Sequence, residues 1–154
     1  MNNSNLTLNE IWPLMKDVLE SGGEFTFCPH GVSMLPLIRQ GQDYVVLVKS
    51  SDFKAGDVVF YLRDNGQFVL HRIVKIKNDE YVMCGDNQFV LEKGITDKHI
   101  LAKMKAVIRD GKTIDESVPE YVKYVKKLPY IRFKKRVRNK LSAIKNKIFK
   151  KKTV

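Results

Sequence analysis

Val58-Val59-Phe60-Tyr61-Leu62, Arg63-Asp64-Asn65-Gly66-Gln67 and Phe68-Val69-Leu70-His71-Arg72-Ile73-Val74 follow one another without a break. The outer segments are rich in β-branched and aromatic residues, which suit a pleated, half-buried surface. The Asp-Asn-Gly step between them supplies the positive backbone angles of a tight turn, so the stretch predicts a β-hairpin. Tyr44–Val48, Tyr81–Met83 and Lys103–Arg109 are further β-rich runs, and Gly41-Gln42-Asp43, Lys54-Ala55-Gly56-Asp57 and Lys77-Asn78-Asp79 read as turns. Strands this frequent between Glu24 and Asp110, with few helices among them, predict a mainly β fold built on a coiled antiparallel domain rather than a parallel α/β sheet.

Helical patterns flank this region. Thr7 and Glu10 fit a capping box, and Ile11, Leu14, Met15, Val18 and Leu19 recur at helical spacing until Gly22 and Gly23, predicting a helix over residues 8–21. Pro13 lies past the first turn, so this helix is expected to start later or to bend there. Ser117 and Glu120 offer a second capping box, Pro119 suits a first turn, and Tyr121, Val122, Val125 and Leu128 line a short helix that Pro129 is expected to interrupt. Phe133, Val137, Leu141, Ile144 and Ile148 then keep three- and four-residue spacing among Lys and Arg as far as Lys152, a basic amphipathic helix. The expected division is an N-terminal helix over 1–23, a β-rich domain over 24–116 and a basic helical tail over 117–154.

The 154 residues, 44% of them apolar, provide enough core for one domain with an appendage and exclude disordered and collagen-like classes. Residues 1–119 carry 14 basic and 16 acidic side chains, a net −2, whereas 120–154 carry 14 basic residues and only Glu120, a net +13. The high isoelectric point therefore comes from the tail alone. Uninterrupted apolar runs such as Tyr44–Val48 fall far short of the roughly 20 residues of a membrane span, and Met-Asn-Asn-Ser-Asn does not begin a secretory signal. Residence in the cytoplasm is the expectation. Cys28 and Cys84 are far apart and in neither a CxxC nor a His-rich setting, which predicts reduced thiols and calls for neither metal nor cofactor.

Four blocks occur in order: Gly31-Val32-Ser33-Met34-Leu35-Pro36, Gly56-Asp57-Val58-Val59-Phe60-Tyr61, Val69-Leu70-His71-Arg72-Ile73-Val74 and Cys84-Gly85-Asp86-Asn87. A serine hydroxyl is a poor nucleophile at neutral pH and needs a base within hydrogen-bond reach, and an imidazole of ordinary pKa near 6.5 meets that need. Ser33 and His71 are the candidate pair, with activity expected to fall below about pH 6 as the imidazole protonates. The blocks resemble the signal-peptidase and LexA-like superfamily of serine peptidases over roughly residues 25–109, and His71 places them nearest the branch typified by the endoplasmic-reticulum signal peptidase. The resemblance implies a coiled β domain of the LexA/signal-peptidase type, Ser33 as nucleophile, His71 as general base and Asp86 as the group orienting the imidazole. Ser33 N–H is the natural oxyanion donor, while Gly31 can offer only backbone. Asp57 at a strand entry reads as a carboxylate bonding turn amides, and His30 and His99, outside the blocks, read as surface or turn residues.

An extended peptide suits a β domain, because a strand edge pairs with its backbone while pockets read alternate side chains. Met34, Leu35 and Tyr44–Val48 are candidates to wall such a groove, or ordinary core. The expected function is a serine endopeptidase cleaving a leader or precursor peptide at the cytoplasmic membrane face. The spanning anchor of export signal peptidases is not expected here. Residues 130–152 fit an anionic membrane surface better than nucleic acid, a docked or merely solvated helix being the plain alternative. The alternative functions are a non-catalytic peptide-binding module of the same fold and a LexA-type self-cleaving regulator. The latter expects a helix-turn-helix and a cleavable Ala-Gly or Cys-Gly bond before the nucleophile. Only one helix is predicted there, and Cys84-Gly85 follows Ser33.

Overall fold

The predicted hairpin forms, with β3 (Val58–Leu62) paired antiparallel to β4 (Phe68–Lys77) around a turn in which Gly66 takes φ +80°. The structure is a computed structural model that describes residues 7–151, with side-chain surroundings through residue 144. The other strands are β1 (Glu24–Phe27), β2 (Tyr44–Val48), β5 (Glu80–Cys84), β6 (Glu92–Ile95), β7 (Ile100–Arg109) and β8 (Lys112–Ile114). All pair antiparallel in one eight-stranded sheet ordered β1-β2-β7-β3-β4-β5-β6, with β8 added to β7. The protein is thus mainly antiparallel β with a helix at either end. All five runs expected to be strands are strands, three of them longer than expected. β1, β6 and β8 are additional, each of four residues or fewer and held by pairing to an established neighbour rather than by its own pattern.

Bulges between Val46 and Leu47, Phe60 and Tyr61, and Ile73 and Lys75 curl the sheet, because an extra residue on one strand increases its local twist. Alternation along β3 then feeds two cores: Val58 and Phe60 join Met15, Leu19, Ile38, Leu47 and Met104, while Val59 and Tyr61 join Ile73, Met83 and Ile95.

Helix α1 (Leu8–Glu20) starts at Leu8, where the Glu10 carboxylate accepts both the Thr7 N–H and the Thr7 hydroxyl at 2.7 Å. Pro13 is accommodated inside it. Its apolar face buries Met15 and Leu19 and sets Trp12 against Phe68 at a ring separation of 5.6 Å.

Two expectations for the C-terminal segment are corrected. Pro129 does not interrupt the helix, and α2 runs from Pro119 to Lys151. Proline removes a single backbone bond, and Leu128 beside it is 1% exposed, an anchor that offsets the loss. Ser117 and Glu120 form no capping box, because Asp115 accepts both the Ser117 N–H (2.8 Å) and the Ser117 hydroxyl (2.6 Å). Tyr121, in the first turn of α2, is buried in the main core, and Leu128 is buried nearby along the helix. The expectations for residues 1–6 and 152–154 lie outside the described residues.

Candidate active site

Ser33 lies in the irregular segment between β1 and β2, half-buried. The segment is pinned from below by Met34, Leu37 and Ile38, all in the main core. It is pinned at its end by Asp43, whose fully buried carboxylate accepts hydrogen bonds from Arg39 and Arg109 while Arg109 also reaches the Leu37 carbonyl at 2.8 Å. Burial alone would raise the Asp43 carboxyl, but these guanidinium bonds hold it well below the usual carboxylate range. Gly31 sits at φ +107°, a left-handed conformation that favours glycine, and its N–H donates to Gln40 Oε1 at 2.9 Å. The Ser33 N–H has no such partner among the described residues and remains available as a donor.

The Gly-Asp-Asn block holds the Ser33 segment from the other side. Asn87 N–H donates to the Ser33 carbonyl at 2.8 Å, and Asn87 Nδ2 donates to the Val32 carbonyl at 3.0 Å. Gly85 is required by close approach, because a Cβ there would stand 2.6 Å from the Ser33 carbonyl oxygen and 3.1 Å from Ser33 Cβ. The backing comes from α2, where Lys135 Nζ donates to the Asn87 carbonyl at 3.1 Å.

His71 is on β4, paired across the ladder with Val59 and 6% exposed. Ser33 and His71 line the same cavity of about 360 Å³, walled by Met34, Ile38, Phe68 and Leu70, with Gln88 at its edge. Leu35 and the Tyr44–Val48 strand do not line it; Val45 and Leu47 are core. No direct hydrogen bond joins the Ser33 hydroxyl to His71, whose Nδ1 instead meets Tyr61 Oη at 3.3 Å. Catalytic hydrogen bonds are commonly long until a substrate tightens the site.

Tyr61 settles which imidazole nitrogen is basic. Its hydroxyl donates to Glu92 Oε2 at 2.8 Å, and a carboxylate can only accept, so the tyrosine proton points to Glu92. The tyrosine oxygen therefore accepts Nδ1–H from His71, which leaves the lone pair on Nε2. Glu92 is in turn clamped by Arg63 through bonds of 2.6 Å to each oxygen. Burial would raise the Glu92 carboxyl, but the hydrogen bonds from Arg63 and Tyr61 hold it below its ordinary value. Burial likewise pushes the Tyr61 hydroxyl up, with its bond to Glu92 adding to the effect. Burial pulls His71 down to about 4, outweighing the attraction of Glu92. The imidazole is therefore neutral well below pH 6, which moves the expected loss of activity from about pH 6 to about pH 4.

Asp86 does not hydrogen-bond to His71. Its buried carboxylate takes Arg72 in a two-pronged pair (2.8 and 2.6 Å), with further bonds from Tyr124 and Arg132. The orienting contact passes to Tyr61 and Glu92. Tyr61 closes the second sequence block and could have been suspected there, whereas nothing in the pattern around Glu92 marks it. Asp57 behaves as read, accepting the Lys54 N–H at 2.9 Å. His30 is exposed, but His99 is a buried turn residue rather than a surface one, with Nδ1 accepting the Thr96 N–H at 3.0 Å. Both cysteines are free, and no group of side chains suited to a metal ion occurs among the described residues.

Compared with models of known protein families and with curated protein sequences, the chain matches none.

Proposed function

We propose that the protein is a serine endopeptidase of the LexA/signal-peptidase type that cleaves an extended leader or precursor peptide, with Ser33 as nucleophile and His71 as general base. The observation that carries this reading is the Glu92–Tyr61–His71 chain behind the cavity that Ser33 shares, because it fixes the tautomer with Nε2 unprotonated. In the proposed reaction Ser33 Oγ attacks the peptide carbonyl carbon as Nε2 takes the hydroxyl proton. The tetrahedral intermediate collapses, the C–N bond breaks, and the amine leaves with that proton. Water then attacks the ester, giving one proton to Nε2, and the acid is released as Ser33 recovers its hydrogen. Ser33 N–H supports the developing oxyanion.

The substrate class follows from the walls. A second cavity of about 730 Å³, lined by Leu8, Ile11, Phe27 and Phe60, shares Pro29, His30, Phe68 and Leu70 with the first. An extended peptide with bulky apolar residues beside the cut bond fits these two adjoining cavities. Incubating the full chain with a mixed peptide library and reading products by mass spectrometry tests the proposal. Cleavage that disappears in Ser33→Ala with an unchanged melting temperature supports it, and cleavage that persists refutes it. The missing Ser33–His71 hydrogen bond favours a second reading, a peptide-binding module without chemistry. Retained peptides with no cleavage by the wild type would select that reading.

A further inference from the structure

We infer that the outward face of α2 is a docking surface for an anionic lipid bilayer. The helix has two opposed faces. Tyr121, Tyr124, Leu128, Arg132 and Lys135 point at the body, where Leu128 is buried, Arg132 and Tyr124 bond Asp86, and Lys135 bonds Asn87. Tyr130, Phe133, Val137, Leu141 and Ile144 fall within about 80° of arc on the opposite side, at 100° per residue. They are 39–64% exposed, which the body cannot relieve because its contacts take the other face. Leu91, 39% exposed, widens this apolar surface, sharing a cavity with Phe89, Pro129 and Phe133.

What covers such a face is decided by its borders. Lys134 and Arg138 flank the stripe on one side and Arg136 and Lys140 on the other, with Glu120 the sole acid in the helix. Lys134 Nζ lies 5.0 Å over the Tyr130 ring, so even the flank keeps its charge against the apolar edge. A second copy laid stripe to stripe would bring like charges together at both borders. Nucleic acid phosphates would engage the borders and leave five apolar side chains in water. An anionic interface satisfies both features, taking the side chains below the headgroups and the cations among them.

Co-sedimentation of the full chain with vesicles tests this, using phosphatidylcholine alone and phosphatidylcholine mixed with phosphatidylglycerol. Binding to the anionic vesicles only is expected, weakening about fivefold for each charge removed by Arg138→Gln or Lys140→Gln. Phe133→Ser with Leu141→Ser, both at exposed positions, should lower it more than tenfold without changing the melting temperature. Ser33→Ala should bind as the wild type does, so the outcome is independent of the peptidase reading. Vesicle binding unaffected by the serine pair overturns the inference, as does duplex DNA binding in its place, or a dimer that shows no vesicle binding.

Discussion

Lowering the pH from 7 to 5 should destabilise this protein through His71. The folded-state value of about 4 lies below the ordinary 6.5, so the unfolded chain takes up the proton first. Stability from the neutral imidazole is fully present above 6.5 and is lost progressively as the pH falls toward 4. At pH 5 nearly all unfolded imidazole is protonated and about a tenth of the folded, a linkage cost of about 2 kcal/mol relative to pH 7. Glu92 and Asp43, both held below their ordinary values, contribute stability that is lost only below this window. Urea denaturation of wild type and His71→Gln at both pH values isolates the effect, since glutamine retains a donor toward Tyr61 and does not titrate. The wild type should lose about 2 kcal/mol more than the variant between pH 7 and 5. Equal losses would mean that His71 is not held neutral by burial, and the tautomer argument would fall with it.

Four further substitutions separate structure from chemistry. Asp86→Asn leaves the Arg72 guanidinium buried without its counter-charge and should cost about 3 kcal/mol of unfolding free energy by calorimetry. A catalytic Asp86 would instead lower turnover with stability intact. Tyr61→Phe removes the Nδ1 acceptor, and kcat should fall on the order of 10²-fold with KM little changed. Gly85→Ala drives a methyl group into the Ser33 carbonyl, so on the proposed mechanism kcat should fall on the order of 10²-fold as Ser33 shifts by a fraction of an ångström, whereas Gly66→Ala at the hairpin tip should leave it unchanged.

The hairpin and the longer strands were legible because β-branched and aromatic runs bounded by Asp-Asn-Gly or Asn-Asp turns leave few other foldings. Glu92–Ile95 and Lys112–Ile114 were not, because such short segments become strands only once a neighbour's edge exists. Pro129 misled for a related reason: the local rule concerns one backbone bond, whereas Leu128 and Tyr121 secure the helix through tertiary burial. The ordered blocks single out Ser33 and His71, which line one cavity without a hydrogen bond between them. Asp86 was assigned by position in its block, but the neighbouring residue on the His71 strand, Arg72, points to the opposite face and claims it. Alternation along a strand separates neighbours in this way, and sequence order alone does not show which of two adjacent side chains a distant carboxylate will meet. Glu92 lay beyond reach because it approaches His71 only through Tyr61.

The direct test of the proposed pair is chemical. Incubation with a fluorophosphonate at pH 7, followed by peptide mapping, should place the adduct on Ser33 in the wild type. It should be lost in His71→Gln and slowed in Tyr61→Phe. An unreactive Ser33, or one that reacts equally without the imidazole, would contradict the assignment of His71 as its base.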